Sequence, residues 1–421
     1  MRKHRNYLKK LGPGFITGAS DDDPSGIGTY SQTGAQFGYG QLWTALFTFP
    51  FMSVIQEMCG RIGLVTGRGL SAIIRTHYAR PILYGALLLL VIANTINIGA
   101  DLGAMAAAGN LLVGDIPFIY WLIGMTVLSL LLQVFVSYRV YSRYLKWLTL
   151  SLLAYIITAF VIHIDWAHVL RATLVPSIAF DKDYILNIVA ILGTTISPYL
   201  FFWQAGEEVE EEVAKHKLAG MLSRRPKISR ADIREMRWDT VSGMLFSNVV
   251  MFFIIAVTAS TLAPHGITHI NTADQAAQAL RPLAGNFAYV LFAAGIIGTG
   301  LLAVPVLAGS ASYAIAEAFG WKEGLYRKFR QAHGFYGVIT LATLVGLLVN
   351  FTPIKPFEML YYTAVLNGLC APPLMVLIML IANNKKIMGS HTNSGFFNIL
   401  GWIITAVMAA AGGALVVGLV L

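Results

Sequence analysis

Long apolar runs separated by short polar connections divide almost the whole chain. About 20 apolar residues in helical form cross a hydrocarbon core roughly 30 Å thick. Eleven such runs can be drawn, at 11–37, 42–64, 81–110, 116–137, 145–164, 184–206, 240–262, 286–316, 333–351, 356–382 and 396–420. Two of them are interrupted. The first passes from Gly12-Pro13-Gly14 into Asp21-Asp22-Asp23-Pro24-Ser25-Gly26, and the sixth breaks at Gly193-Thr194-Thr195-Ile196-Ser197-Pro198. Proline inside a helix removes a hydrogen bond and clashes with the preceding turn, costing about 3 kcal/mol. In lipid, the freed backbone groups need protein or a cavity to cover them. The breaks lie five spans apart, and an odd number of spans per half makes the halves run in opposite senses. The pattern predicts an all-α polytopic membrane protein built as a 5+5 inverted repeat, with a site at the midplane between the broken spans. The repeats run approximately over 11–164 and 184–382, with an eleventh span at 396–420, in a single transmembrane domain covering 1–421.

Composition agrees with this reading and removes others. The chain is 56% apolar and 12% charged, against about 25% charged in soluble domains. The first run is too long and too acidic for a secretory signal, and no A-x-A cleavage site follows it. The net charge of +9 does not point to nucleic acid, because the bases are sorted by side. With the N-terminus inside, 26 of the 30 Lys and Arg fall on the inner side. Only Arg171, Lys182, Arg281 and Lys355 fall outside. The positive-inside rule then predicts a cytoplasmic N-terminus and an outer C-terminus; the membrane expected is a bacterial-type plasma membrane. Arg224, Arg225, Lys227 and Arg230 are expected to face anionic headgroups or water. Cys59 and Cys370 both lie within spans and show no ligand spacing. The longest polar connection, Glu207 to Arg237, is expected to hold a short cytoplasmic helix.

The aspartate run supplies the chemistry. From Leu11 to Asp22 is roughly 16 Å of helix, about half the hydrocarbon thickness. A carboxylate at that depth costs at least about 2.5–3.5 kcal/mol and persists only when something neutralises it. Two half-helices end at the breaks, and their carbonyl ends carry partial negative charge. That field favours a cation and disfavours an anionic substrate, which would want helix N-termini. The ligands on offer are oxygens: the Asp23 carboxylate, the Ser25, Thr194 and Ser197 hydroxyls, and freed carbonyls. Oxygen-only sites suit Mg²⁺, Ca²⁺ and Mn²⁺, and small residues such as Gly26 and Ser197 leave room for a hydrated ion.

Successive helical residues point about 100° apart, so the three aspartates cannot all face one ion. Asp22 is expected in a supporting or gating role, and Asp21 against a polar group of another span. Asp101 follows Asn94 by two helical turns and Asn97 by one; it reads equally as a proton or ion relay and as a structural carboxylate bonded to Asn or Ser. Glu57 and Arg61, at i and i+4, read as an ion pair. Asn367 sits in Asn-Gly-Leu-Cys-Ala-Pro, a weakened helix, and is a candidate pathway residue. Glu207, Glu208, Glu210, Glu211 and Glu212 read as a solvated cytoplasmic end, or as a lure for cations at the inner mouth.

These residues resemble the Nramp family of divalent-metal transporters. Gly12-Pro13-Gly14, the Asp-Pro break and Gly34-Ala35-Gln36-Phe37-Gly38-Tyr39 are similar to that family's first span, and Gly63-Leu64-Val65-Thr66-Gly67-Arg68 to the end of its second. The resemblance covers essentially the whole chain. It implies an amino-acid-symporter-type fold with an added eleventh span, and transport as the activity. The departures are informative. The family's Asp-Pro-Gly-Asn is Asp23-Pro24-Ser25-Gly26 here, so the metal-binding Asp carries over to Asp23 while Gly26 replaces the Asn ligand. In the sixth span, Thr194 stands for Ala, Ser197 for the thioether Met and Tyr199 for His; Gln204 matches a second His. The third-span acids match Asn97 and Ala100, with Asp101 next door. Losing sulfur removes the discrimination against hard ions, and losing the His and acidic residues removes the expected proton path. The pattern is similar to the Nramp-related magnesium transporter branch, which implies Mg²⁺ uptake, with Mn²⁺ also accepted, by alternating access without proton coupling. No cofactor is called for, since the metal is the substrate; the other expected partner is the bilayer.

Alternatives follow from the same residues. One is a proton-coupled Mn²⁺/Fe²⁺ transporter using Asp101 or Asp22 as relay. Another is an intramembrane aspartyl protease pairing Asp22 or Asp23 with Asp101, since two aspartates can share a proton. Its Gly-x-Gly-Asp and Pro-Ala-Leu signatures are missing. An amino-acid symporter would need a free positive half-helix end, and the aspartates would repel a carboxylate.

Overall fold

Each apolar run becomes a helix in the computed structural model, which describes residues 12–136, 149–221 and 226–420. Among these residues every regular element is helical. Span 1 is two helices, Pro13–Asp21 and Pro24–Phe37. Span 2 is Trp43–Thr66, span 3 Arg80–Leu112 and span 4 Phe118–Phe135. Span 5 is described from a 3₁₀ turn at Thr149–Leu152 through Leu153–Val161; its expected start at 145–148 lies outside the described residues, as do Arg224 and Arg225. Span 6 is again two helices, Lys182–Thr195 and Pro198–Ala214. Spans 7 to 11 are Arg230–Thr261, Ala288–Phe319, His333–Val349, Pro356–Asn383 and Gly395–Val420.

Among the described residues, seven helical stretches are long and apolar enough to cross a membrane by length and composition; the described parts of spans 5 and 9 are apolar but shorter. Span 1 is divided by its break into pieces of 9 and 14 residues. Large apolar side chains such as Leu88, Tyr120, Phe135, Phe160 and Ile399 are exposed, as lipid-facing residues must be. Within span 6's most apolar stretch 83% of residues are buried, against 33% in span 11, so span 6 is central and span 11 peripheral.

Local chemistry explains where helices start, stop and break. Pro24 and Pro198 each occupy the first turn of a new helix, where the missing N–H costs nothing. Pro50, Pro305, Pro372 and Pro373 lie inside continuous helices. Span 10 is therefore unbroken around Asn367, contrary to the weakened helix its sequence suggests. Span 7 starts ten residues earlier than the apolar run, because Ser229 and Asp232 form a reciprocal capping box there. The short helix expected in the 207–237 connection is absent among its described residues. Instead, spans 6 and 7 extend into it from both sides.

Small residues let the first half of span 1 lie directly on span 7. A Cβ on Gly14 would come within 2.5 Å of the Thr240 backbone nitrogen, and one on Gly18 within 2.2 Å of the Gly243 carbonyl carbon. Asp239 of span 7 accepts the Gly12 and Gly14 N–H groups at 3.0 and 2.8 Å, which serves as an external cap for the helix start.

The Glu57–Arg61 pair forms as expected, at 3.1 Å, and is buried. Arg237 of span 7 joins Glu57 at 2.8 Å, and Arg61 also donates to the His391 carbonyl and Asn393. The network ties spans 2 and 7 to the segment before span 11. Glu57→Gln is expected to destabilise the protein by about 3–5 kcal/mol, because it leaves a buried guanidinium short of its counter-charge. A thermal midpoint unchanged from wild type in detergent would refute this.

The glutamate run is not a solvated end. Glu208, Glu210 and Glu212 are buried, because the span 6 helix continues to Ala214 and packs against spans 2 and 8. Gln204 donates to Glu208 at 2.9 Å, Tyr313 and the Leu325 N–H donate to Glu210, and Lys217 pairs with Glu212 at 3.2 Å. Beside them Glu323, in the loop after span 8, is buried. Burial first, then the neighbouring Glu317 and Glu210 charges, push its carboxyl up to about 10 against the pull of Arg327. Burial therefore favours the uncharged form of this acid.

Candidate functional site

Where spans 1 and 6 break, four helix ends meet. The first halves end at Asp21 and Thr195, and the second halves begin at Pro24 and Pro198. The residues before those prolines, Asp23 and Ser197, hold equivalent N-cap positions but act in opposite directions. Asp23 caps forward: its Oδ1 accepts the Gly26 N–H and the Ser25 hydroxyl, each at 2.7 Å. Ser197 turns backward, and its hydroxyl donates to the carbonyls of Gly193 and Thr194 at 2.7 and 2.8 Å. It thus satisfies carbonyls that the break sets free rather than reaching across to Asp23.

The two oxygens of Asp23 differ. Oδ1 is held tightly. Oδ2 has only long contacts, 3.4 Å to Asn97 Nδ2 and 3.4 Å to Tyr199 Oη. Tyr199 gives its better bond, 3.0 Å, to the Ser20 carbonyl, so one phenol joins the end of span 1's first half to the second half of span 6. Oδ2 is therefore the oxygen free to take a stronger partner. Asp23 itself is 1% exposed, and Ser25, Asn97, Thr194, Ser197 and Tyr199 are equally buried, so the break is closed to both faces.

The other aspartates divide as their spacing requires. The Ser247 hydroxyl of span 7 donates to Asp21 Oδ2 at 2.6 Å and lies 3.1 Å from Asp22 Oδ1. Asp21 thus finds the polar partner expected on another span, and Asp22 shares it instead of facing Asp23's partners. Sequence reading missed Ser247, although Ser247-Asn248 is a polar interruption within the apolar span 7. It also missed Tyr30, whose hydroxyl faces Thr194.

Gly26 contributes no side chain. A Cβ there would stand 3.0 Å from the Asp21 carbonyl oxygen and 3.3 Å from Thr194 Oγ1, so the glycine lets the two breaks close on each other. Asp101 lies near Asp23, with the Ser25 N–H facing it. Asn367 is buried on span 10 with neither amide atom paired. Gln204 is not at the break; it lies further along span 6, against Gly60 and Glu208. Among the described residues no three His, Cys, Asp or Glu side chains converge as a metal cluster. Any cation held here would therefore have fewer than three such side chains around it and would draw on neutral oxygens and retained water as well.

The sequence profile of the family described as "Natural resistance-associated macrophage protein-like", Nramp, matches residues 14–418. A curated relative, the divalent metal cation transporter MntH of Klebsiella pneumoniae (strain 342), is 25% identical over 98% of this chain and 94% of its own length. Among solved structures, a manganese transporter from Eremococcus coleocola superposes with a TM-score of 0.74 at 16% identity, covering 98% of this chain and 87% of that one. The transporter Mhp1 gives 0.58 at 12% identity, covering 97% of this chain and 91% of its own. MhsT, solved with L-phenylalanine, gives 0.56 at 14%, covering 96% and 97%. The likeness establishes an all-helical polytopic membrane fold of the kind these proteins share. With nearly its full length matched by the family profile, the chain belongs to the Nramp family of integral membrane transporters and is not an enzyme.

Proposed function

We propose that this protein carries divalent metal cations across the membrane by alternating access, with Mg²⁺ as the main substrate and Mn²⁺ also accepted, and without proton coupling. The names of its relatives, a divalent metal cation transporter and a manganese transporter, support the general class. The observation that carries the finer reading is the loosely held Asp23 Oδ2 in a closed, all-oxygen break. Ser197 stands where sulfur is expected, and Tyr199 and Gln204 where imidazoles are expected. Hard oxygen ligands favour Mg²⁺ and Mn²⁺, and Mg²⁺ tends to keep several waters. The breaks in spans 1 and 6 are the joints about which two inverted repeats would rock. A carboxylate-bearing substrate is disfavoured, because Asp23 already caps the positive end of span 1's second half.

The basic side, carrying the connections after spans 2, 6, 8 and 10, would face the cytoplasm of a bacterial-type cell. The chain is assayed in vesicles containing a Mg²⁺-sensitive dye and a proton indicator, with Mg²⁺, Ca²⁺ and Mn²⁺ outside. Mg²⁺ entry without acidification is expected. A second reading, a proton-coupled Mn²⁺/Fe²⁺ transporter, draws on Asp101 beside Asp23; acidification that tracks Mn²⁺ entry would replace the first reading with it. Ser197→Met is expected to shift preference from Mg²⁺ toward Mn²⁺ and Fe²⁺ by about tenfold through its soft thioether. An unchanged selectivity series in competition assays would remove Ser197 from the ion's surroundings.

A further inference from the structure

Asn94, Asn97 and Asp101 follow one another by three and four residues and so share one face of span 3. Asn94 donates to the Leu307 carbonyl at 2.9 Å, and Asn97 points its amide at Asp23. Asp101 continues this stripe and is fully buried. Neither of its carboxylate oxygens has a hydrogen bond of ordinary geometry; the Ser25 N–H faces it and Asp23 is the charge acting on it. The Asn97 carbonyl oxygen is also unpartnered. Beside the loosely held Asp23 Oδ2, then, sit three more acceptor atoms with no donor at ordinary hydrogen-bond geometry.

Buried acceptors normally find partners, and two neighbouring ionised carboxylates have no donor to offer each other. A doubly charged ion resolves both problems at once. We propose that Asp101 is the second anionic group of the cation site, and that the Asp23–Asp101 pair sets the preference for doubly over singly charged ions. This rests on the reading that a divalent cation occupies the break. It differs from a structural role, in which a neutral Asp101 acid would be replaced by an isosteric amide without consequence.

The test uses the full chain in detergent, with Mg²⁺ binding measured by calorimetry and Na⁺ as competitor. Asp23→Ala is expected to abolish binding. Asp101→Asn is expected to weaken Mg²⁺ at least tenfold and to raise competition by Na⁺. The double variant Asn97→Asp with Asp101→Asn, which moves the carboxylate one turn along the stripe, is expected to recover most of the loss. If Asp23→Ala binds Mg²⁺ like wild type, the cation site itself is refuted. If Asp23→Ala fails to bind while Asp101→Asn stays within twofold of wild type, the site stands and the role of Asp101 is overturned. A tenfold loss that the double variant does not recover also overturns it. Should Asp101→Asn not fold, Asp101→Glu carries the test: displacing the carboxylate by one methylene is expected to change the Mg²⁺/Ca²⁺ affinity ratio at least threefold, and an unchanged ratio overturns the proposal.

Discussion

Asp23→Ala is expected to reduce divalent-cation uptake at least a hundredfold while the protein still folds. The two consequences separate because the side chain does two things with different oxygens. Oδ1 caps the second half of span 1 through Gly26 and Ser25. Removing a cap costs about 0.5–2 kcal/mol, which a helix packed on several neighbours tolerates. Oδ2 carries only two 3.4 Å contacts and is the atom that the proposed site leaves for the substrate. Without it the break loses a loosely held carboxylate oxygen of span 1, and the neutral oxygens around that place replace the water around a dication poorly. Dye-loaded vesicles measure the flux, and size-exclusion chromatography with a thermal melt measures the fold. Uptake above a tenth of wild type would remove Asp23 from the transport path.

Gly18→Ala is expected to produce the largest loss of stability of any single methyl addition considered for span 1. Its Cβ would stand 2.2 Å from the Gly243 carbonyl carbon and 2.3 Å from the oxygen, and neither belongs to a side chain that can swing aside. Forcing an extra carbon into a packed contact costs about 1–3 kcal/mol, with more where backbone must move. Gly124→Ala is the matched control, since a Cβ there meets nothing within 4 Å. Replacing an open helical glycine by alanine gains about 0.5–1 kcal/mol. Opposite shifts in thermal midpoint for the two variants are the expected result. Equal melting of Gly18→Ala and wild type would mean that spans 1 and 7 do not lie in contact there.

The spans were legible in the sequence because hydropathy and length are nearly sufficient in a bilayer, and the two breaks because proline there follows polar residues; span 10, read as weakened, shows that proline alone does not break a helix. Asp23-Pro24 and Ser197-Pro198 carry a capping residue before the proline; Ala371-Pro372 does not, and span 10 runs through it. The direction of Ser197 was not legible. Whether a hydroxyl at a break serves its own helix or the opposite one depends on where the neighbouring carbonyls fall. The burial of Glu208, Glu210 and Glu212 was hidden for a similar reason: an acidic run looks solvated until a tyrosine, a lysine and a loop N–H arrive from elsewhere in the chain. Asp21's partner was foreseen as a class but not as Ser247, since a lone serine in an apolar span usually bonds its own helix.

The phenol of Tyr199, bonded to the Ser20 carbonyl, has a further bearing on how the molecule meets changing surroundings. An imidazole in that place would gain and lose charge across the range of ordinary growth media, loosening or tightening the fastening between the two divided helices with each shift in acidity. A phenol keeps the same proton throughout that range. This fastening therefore carries no group that changes charge from mildly acid to mildly alkaline conditions, and the tie between the two divided helices is one that ordinary swings in acidity leave alone.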